Sequence, residues 1–475
     1  MSGAGTRPAD FALRAREVLE ERPTVRAAVT EGTLRAQEKR RKAFVGLDEE
    51  AWKEWARATK THLLGRLDHY LLEAEASLVA NGVRVHWAED APQARRILGG
   101  IVEEAGLSSA VKAKSMLSEE LEVNAFLEKR GLSVRETDLG EYILQMLGEA
   151  PSHIVGPAMH KTLEDCQELF ADELGTPPDA SAEVIAAAAR RRLRRDFLEA
   201  DLGISGANFL VAETGTVALM ENEGNIRLST SLPRVHVAFV GIEKLLPRLA
   251  DLAGFLQLLP RSATGQVIGN YVSLLQGPRR PGEPDGPEEM HVVLVDNGRT
   301  RLLADDQGHE ALRCIRCGAC LNVCPVYRQS GGHPYGWVYS GPIGAILAPG
   351  LLGLEEAMPL PYASSLCGAC GDVCPVKIPI PELLVYWRER AVEEGLVPRS
   401  EAWGMAGYTA AALHPRLFHA AEALAGVLTG PAGELLARRL PMVGHWAEGR
   451  SLPSAQGPTF RELWTAGLDD RRDDG

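Results

Sequence analysis

Seven of the eight cysteines in this chain lie in two short runs, and their spacing is the strongest chemical signal in the sequence. The first run has the form C-x2-C-x2-C-x3-C-P and ends at Pro325, which is the bacterial ferredoxin pattern for 4Fe–4S clusters. The second run ends at Pro375 and lacks the first cysteine of the pattern, with Ser364 in its place. Each iron of a cubane cluster needs one ligand from outside the cluster. The two runs therefore predict two iron–sulfur clusters.

The fourth cysteine of each run determines how the two runs combine. In two-cluster ferredoxins this cysteine ligates the cluster of the other run. The first cluster is thus predicted to be bound by four cysteines, namely Cys314, Cys317, Cys320 and Cys374. The second cluster is predicted to be bound by three cysteines, namely Cys324, Cys367 and Cys370.

Because the second run lacks one cysteine of the repeated pattern, two forms of the second cluster fit the sequence. It could be a 3Fe–4S cluster, or a 4Fe–4S cluster whose fourth iron is bound by Ser364, Ser365, water or a partner protein. We favour the 4Fe–4S form with an unusual fourth ligand. A measured content of about seven irons per chain would favour the 3Fe–4S form instead.

Other uses of these cysteines fit the spacing less well. Structural zinc is usually held by two pairs of ligands and has no use for a third and fourth cysteine so close by. Disulfides are expected in short secreted chains with dispersed cysteines, and this chain is long with clustered ones. The eighth cysteine, Cys166, shares a helical face with Leu163, Leu169 and Phe170, which predicts a core residue.

Length, charge and hydropathy bound the class of protein. A chain of 475 residues should form two or three domains, and its net charge of −13 argues against nucleic acid as the main partner. Residues 1–45 are polar and contain no apolar h-region, and no uncharged apolar run reaches transmembrane length. We therefore expect a cytoplasmic protein without a transmembrane segment, and peripheral docking to a membrane complex stays open.

Strand and helix patterns alternate over the middle of the chain and must position the clusters. Strands are predicted at residues 83–88, 109–113, 132–137, 235–240 and 291–295. Residues 208–213 and 216–221 are predicted to form a hairpin. Helices are predicted at residues 48–80, 91–105, 118–129 and 181–200. This alternation predicts an α/β domain, Rossmann-like, with a largely parallel sheet.

The full chain is predicted to have four regions, which combine α/β and helical architecture. They are a helical N-terminal segment (1–64), the α/β domain (65–300), an all-α ferredoxin-like two-cluster domain (304–385) and a helical C-terminal domain (386–475). The last region ends in a charged tail, residues 469–474.

A weaker candidate is an anion or substrate site in the α/β domain. Lys112, Lys114 and Ser115 follow a predicted strand and open a helix, and lysines at a helix N-terminus favour anions. Glu221 and Asn225 lie in a polar run after another strand. A solvated loop beside a capped helix would give the same pattern. No G-x-G-x-x-G motif follows a strand and no P-loop is present, so the sequence predicts no nicotinamide, flavin or nucleotide site.

Two further groups of residues are better explained by structure than by function. His153 and His160 could bind a metal ion, but surface or core histidines are common at such spacing. The arginines at positions 190–195 predict a solvated helical face, with an acidic partner surface as the alternative.

Several stretches of the chain, including parts of the cysteine runs, together resemble one family over residues 10–465. They are 114–116, 136–142, 151–155, 213–216, 223–225, 286–289, 314–327 and 360–367. These motifs resemble the lactate-utilization iron–sulfur protein, the B component of a three-protein L-lactate oxidation system. The resemblance implies a lactate-utilization α/β domain and a dicluster ferredoxin domain, and the family pattern also has seven motif cysteines.

The resemblance implies an iron–sulfur electron-transfer subunit for oxidation of lactate to pyruvate, which allows lactate use as a carbon source. It implies two companion proteins, a cysteine-rich subunit and a second protein with the lactate-utilization domain. Whether this chain itself catalyses is left open. Alternatives are a catalytic subunit that binds lactate in the α/β domain, an iron–sulfur subunit of a related 2-hydroxy-acid oxidase, and a redox sensor.

Overall fold

The computed structural model describes residues 7–428 and 460–466. The chain divides into two compact units after Glu394. The first unit contains both cysteine runs and all ten strands found in the described residues. Among the described residues, no helix combines the length and the apolar character needed to cross a bilayer.

The centre of the first unit is a six-stranded sheet in the order β1-β10-β7-β4-β2-β3, and every neighbouring pair is parallel. Its strands are β1 (Arg84–Ala88), β2 (Ser109–Lys112), β3 (Ser133–Glu136), β4 (Leu202–Ser205), β7 (Val235–Gly241) and β10 (Glu289–Val295). The two central strands β7 and β10 are almost wholly buried, which suits a sheet covered on both faces. The predicted α/β class with a largely parallel sheet is confirmed.

A second, four-stranded sheet in the order β8-β5-β6-β9 packs beside the first. Its strands are β5 (Phe209–Val211), β6 (Thr216–Glu221), β8 (Leu245–Leu246) and β9 (Tyr271–Leu275). The predicted hairpin is confirmed, because β5 and β6 pair antiparallel. The sequence did not reveal that this hairpin belongs to a separate sheet.

In the part of the chain that the structure describes, four α-helices precede the main sheet and eight more lie between its first and last strands. Helices from both sets cover its two faces. They are α1 (Phe11–Glu21), α2 (Pro23–Ala43), α3 (Glu49–Leu64), α4 (Leu67–Ala80), α5 (Ala91–Ala105), α6 (Met116–Glu120), α7 (Val123–Glu128), α8 (Leu139–Leu147), α9 (Leu163–Leu174), α10 (Ala182–Glu199), α11 (Asn225–Ser231) and α12 (Leu249–Ala263). Side chains of α5, α6 and α7 bury one face, and side chains of α4 with the second sheet bury the other.

Local sequence sets the ends of these helices. Asp90 caps α5 by accepting the backbone N–H of Gln93 at 2.7 Å, and Gly106 ends it in the left-handed conformation. Two predicted helices are each broken into two. The stretch 48–80 breaks between α3 and α4, and the stretch 118–129 breaks at Glu122, whose φ of 53° interrupts the helical path.

Short helices carry the cysteine runs, which fits the predicted helical, ferredoxin-like region. They are α13 (Arg299–Leu303), α14 (Ala319–Val323), α15 (Pro325–Ser330), α16 (Gly341–Leu352), α17 (Leu354–Ala357), α18 (Ala369–Asp372) and α19 (Ile380–Glu393). Helix α2 packs against α14 and α15, so the N-terminal helices support the first cysteine run.

The second unit is described through three helices. They are α20 (Arg399–Leu413), α21 (Pro415–Leu428) and α22 (Phe460–Thr465). Helix α20 has no buried residue. The predicted charged tail, residues 469–474, lies outside the described residues.

Candidate iron–sulfur centre and adjoining cavity

The first cysteine run folds as a tight loop that leads into two short helices. Arg316 and Gly318 both adopt positive φ, at 61° and 73°, which turns the chain sharply between the first three cysteines. Cys320 lies on α14, and Cys324 is the N-cap of α15, where Pro325 begins the helix. These turns place consecutive thiols on the same side of the loop.

Four buried thiols gather in one group, which we call the inner group: Cys314, Cys317, Cys320 and Cys374. Each is at most 8% exposed. Burial, together with the charges of Cys314 and Cys374, raises the pKa of Cys317 to about 12, so these side chains lie near one another. Burial and the same neighbours raise the pKa of Cys320 well above its ordinary value.

The other three motif cysteines form an outer group: Cys324, Cys367 and Cys370. Burial, together with the charges of Cys324 and Cys367, raises the pKa of Cys370 to about 12. Cys367 is exposed, and hydrogen bonds from the backbone of Ala369 and the side chain of Ser365 lower its pKa. The outer group therefore reaches the protein surface, in contrast to the inner group.

The donors in both groups fit iron–sulfur clusters. None of the eight cysteines is in a disulfide, so every thiol is available as a ligand. Backbone N–H groups point at three sulfurs: Arg316 donates to Cys314 at 3.3 Å, Tyr327 to Cys324 at 3.4 Å and Ile378 to Cys374 at 3.3 Å. Such donors favour the thiolate form that binds iron. Without iron, six buried thiols would have no evident role.

Ser364 lies in the exposed loop before Cys367. Its Oγ accepts the backbone N–H of Leu366 at 3.0 Å. Leu366 has a φ of 53°, so the loop turns sharply just before the cysteine. The role of Ser364 as a fourth ligand stays a prediction.

A cavity of about 330 Å³ opens at the carboxyl ends of the parallel strands β2, β4 and β7. The chain leaves β2 and β4 on opposite sides of this point, which is where ligands bind in open α/β sheets. Four residues of the predicted anion site line the cavity: Lys114, Ser115, Glu221 and Asn225. The cavity wall also includes Arg316, from the loop of the inner group.

The fifth predicted residue of that site, Lys112, does not line the cavity. Its fully buried ammonium contacts three carboxylates, Glu119 at 2.7 Å, Glu136 at 2.8 Å and Glu141 at 3.9 Å. Although burial lowers the pKa of a lysine, these three charges hold the pKa of Lys112 well above its ordinary value. Lys112 thus neutralises a buried acidic cluster instead of meeting a ligand.

The four residues that do line the cavity also have structural partners. The Lys114 ammonium donates to the carbonyl oxygen of Val155, and Ser115 caps α6. The Glu221 carboxylate accepts the backbone N–H groups that begin α11, next to Asn225. These residues therefore have the helix-capping roles of the structural interpretation and also line the cavity, and ligand binding by them stays a prediction.

A closed ring of buried side chains joins the α/β fold to the inner loop. Arg299 pairs with Glu120 at 2.8 Å and with Glu243 at 2.7 Å, and Glu243 pairs with Arg316 at 3.2 Å. The Arg316 guanidinium lies 4.4 Å from the ring centre of Tyr339, whose hydroxyl donates to Glu120 at 2.7 Å. Burial raises the pKa of Glu243, but Arg299 and Arg316 hold it at about 2, so the ring stays charged.

Two cationic groups of the cavity wall have hydrogen-bond donors without a partner among the described residues. The Arg316 side chain is 8% exposed, and its Nε and Nη1 have no hydrogen-bond partner among the described residues. Lys244 also lines the cavity and forms no hydrogen bond or ion pair with the part of the chain that the structure describes. Burial and the charge of Arg316 lower the pKa of Lys244 to about 8. Each buried donor left unpaired costs about 1–3 kcal/mol.

Comparison with known proteins shows which family the chain belongs to. Residues 71–295 match the LUD domain family, and residues 310–378 match the 4Fe–4S dicluster domain family. Lactate utilization protein B of Shouchella clausii is 43% identical over 422 residues, which cover 87% of this chain and 88% of the relative. Lactate utilization protein B of Bacillus licheniformis is 41% identical over 453 residues, 94% of each chain. The chain belongs to the lactate utilization protein B family.

Another relative in this comparison is the "uncharacterized electron transport protein YkgF" of Escherichia coli K12, 40% identical over 458 residues that cover 95% of each chain. The matched dicluster domain contains all seven motif cysteines. The resemblance inferred from the sequence is thereby confirmed, and so is the presence of a 4Fe–4S dicluster domain.

The other residues singled out in the sequence have structural roles. His153 is buried, bonds Asn322 at 3.2 Å through Nε2, and accepts two backbone N–H groups through Nδ1. His160 bonds Ser152 at 2.7 Å and Glu149 at 2.9 Å. Within the basic stretch 190–195, Arg192 pairs with Asp196 at 2.7 Å on the same helix. Cys166 packs partly buried against the core of α8, α9 and α10, as predicted.

The sequence missed Arg316, Lys244 and the buried ring. Arg316 did carry a signal, because it is the charged residue between the first two cysteines of the run. Glu243, Lys244 and Arg299 carried none, since each lies just after a strand in a stretch with no motif. Only the fold brings them to the same edge of the sheet.

Proposed function

We propose that this chain is an iron–sulfur electron-transfer subunit in L-lactate oxidation. Oxidation of lactate to pyruvate releases two electrons and two protons. Iron–sulfur clusters accept and donate single electrons. The observation that carries the proposal is the division of seven thiols into an inner group of four and an outer group of three, in a member of the lactate utilization protein B family.

In this proposal Cys314, Cys317, Cys320 and Cys374 hold the first cluster. Their burial excludes water, and the backbone N–H groups that point at Cys314 and Cys374 stabilise negative charge on sulfur. The ring through Arg316 fixes the inner loop against the α/β fold, so that the ligands stay in place when the charge of the site changes.

Cys324, Cys367 and Cys370 hold the second cluster, which is 4Fe–4S with Ser364 or another unusual fourth ligand. Cys367 is exposed, and Tyr362 and Leu366 beside it are 40% and 39% exposed. An exposed ligand with exposed apolar neighbours suits a surface where a redox partner docks for short-range electron transfer. We propose that electrons leave or enter the chain at this surface.

The expected partners of this chain are the other proteins of the lactate oxidation system. Relatives carry the name lactate utilization protein B, and a B component implies companions. We propose a cysteine-rich subunit and a second protein with the LUD domain as these companions, working in the cytoplasm with peripheral membrane docking left open.

Replacement of single cysteines tests this function. Cys317→Ala removes a ligand of the inner group, and we expect loss of lactate-dependent electron flow in the reconstituted system and of growth on lactate. Cys166→Ala is the matched control, because Cys166 lies outside both groups. Circular dichroism should show both variants folded. Normal growth of Cys317→Ala on lactate would contradict the proposal.

A further inference from the structure

Two cationic side chains line the cavity beside the inner group, and the described residues use only part of their hydrogen-bonding capacity. The Nη2 atom of Arg316 pairs with Glu243. The Nε and Nη1 atoms of this arginine are buried and have no hydrogen-bond partner among the described residues. Lys244 lines the same cavity and also lacks a hydrogen bond or ion pair with any described residue. Burying a charged group is costly, so its hydrogen-bond donors normally have a partner in the protein or in a bound ligand.

The position of the cavity also favours ligand binding. It lies where the chain leaves β2 and β4 on opposite sides of the sheet, which is the usual ligand position in open α/β folds. Gly206 and Gly241 help to form its wall, and a Cβ on Gly241 would lie 2.3 Å from the Glu243 carboxylate. The backbone there is therefore kept free of side chains.

We propose that this cavity binds a small organic carboxylate, whose oxygens accept hydrogen bonds from the ammonium of Lys244 beside the positive charge of Arg316. Ammonium and guanidinium groups attract carboxylates by charge-assisted interactions. The same arginine belongs to the loop that carries Cys314 and Cys317, so the ligand contacts the loop of the inner group directly.

The charge of the cavity separates a carboxylate from a phosphate. Four acidic side chains among the described residues also line it, namely Asp138, Glu221, Glu223 and Glu243. Burial raises the pKa of Glu223, and the charge of Asp138 raises it further, so added negative charge is unfavourable there. A monoanionic acid fits this balance, whereas a phosphate dianion would not. Apolar residues such as Leu219 and Phe239 complete the wall and suit a short carbon chain.

The experiment is anaerobic isothermal titration of the full-length, cluster-loaded protein with sodium L-lactate and with sodium pyruvate. Lactamide, which is uncharged, and inorganic phosphate are titrated as comparisons. We expect saturable binding of at least one of the two acids, and neither lactamide nor phosphate should bind as tightly. The choice of lactate and pyruvate rests on the proposed function, whereas carboxylate binding itself does not.

Two variants locate the site. Arg316→Gln and Lys244→Met should each weaken binding by about tenfold or more, the scale of one lost charged hydrogen bond. Arg388→Gln is the control, because Arg388 bonds the carbonyl oxygen of Pro361 and does not line the cavity. Arg316 lies in the cysteine loop, so iron content is measured for every variant. Lys244→Met breaks no bond to a described residue and keeps the test decisive if Arg316→Gln fails to load iron.

Three results would overturn the inference: no binding of either acid, wild-type affinity in Lys244→Met, or tighter binding of phosphate than of both acids. The proposed function fails separately. A protein that relays electrons but binds no carboxylate overturns only this inference. A protein that binds a carboxylate through Lys244 but relays no electrons overturns only the electron-transfer function.

Discussion

The inner and outer cysteine groups come from the same repeated pattern, yet they lie in different surroundings. All four inner thiols are at most 8% exposed, and Arg316 of their loop lines the cavity of the α/β fold. The outer group has three thiols, and Cys367 is exposed at the surface. The comparison teaches that a repeated motif can provide one site in the interior and another at the protein surface.

The second cysteine run shows how this difference arises within a few residues. Its end is held by the N-terminal helices, since Arg40 donates to the carbonyl oxygen of Val373 at 3.2 Å and Lys53 to that of Asp372 at 2.7 Å. Cys374, which follows, is buried in the inner group. The loop before Cys367 lacks such support from α2 and α3 and lies at the surface.

The largest expected effect concerns the buried side of the comparison. Arg299→Met removes the cation that pairs with both Glu120 and Glu243, each of them buried. Glu120 would then have no ion pair with a described residue and Glu243 would keep only Arg316, so the free energy of unfolding should fall by about 3–5 kcal/mol. Urea denaturation of the cluster-loaded protein measures this change.

The control for that measurement is an exposed ion pair. Arg35→Met removes the partner of Glu31, and both side chains are about two-thirds exposed or more. Its effect should be below about 0.5 kcal/mol. Equal losses in Arg299→Met and Arg35→Met would show that the buried ring does not stabilise the inner side.

A smaller effect should separate the two groups by their access to solvent. With ferricyanide and a chelator, we expect iron to leave in two phases, the faster one holding roughly half of the iron. The fast phase should come from the outer group, because an exposed ligand gives reagents access. Iron release followed by optical bleaching measures both phases.

Variants assign the phases. Cys367→Ala should abolish the fast phase and preserve the slow one, and Cys320→Ala should do the reverse. A single phase in the wild-type protein, or loss of the slow phase in Cys367→Ala, would contradict the assignment of an exposed second site.

The smallest expected effect comes from completing the repeated pattern. Ser364→Cys restores the eighth cysteine, which should slow the fast phase of iron release severalfold by adding a thiolate ligand. Ser365→Cys is compared with it, because Ser365 is the adjacent, exposed serine and the other serine candidate for the fourth ligand. Equal behaviour of the two variants would argue against Ser364 as the position that faces the fourth iron.

The sequence predicted the parts of this molecule that depend on local pattern. The strands at β1, β2, β3, β7 and β10 and the helix α5 could be located because hydrophobic alternation, Asp90 and Gly106 mark them. The cysteine groups were predicted from spacing, since cluster ligation fixes which thiols must meet. The family was recognised from short motifs along the whole chain.

The cavity wall could be predicted only in part. Lys112 and Lys114 look alike in the sequence, but Lys112 is the last residue of β2 and enters a buried acidic cluster, whereas Lys114 lies in the loop after the strand and reaches the cavity. Arg316 and Lys244 meet because the inner loop packs against the end of β7, a contact over some seventy residues that no local pattern encodes. The short strands β8 and β9 were missed for the same reason.

The central claim is that this chain relays electrons and does not oxidise lactate by itself. An anaerobic titration of the purified, cluster-loaded chain with lactate tests it directly, followed by optical bleaching and electron paramagnetic resonance, with dithionite as the positive control. The account predicts reduction by dithionite, and by lactate only when the companion proteins are present. Reduction by lactate in the absence of any partner would contradict it and would place the oxidation site within this chain.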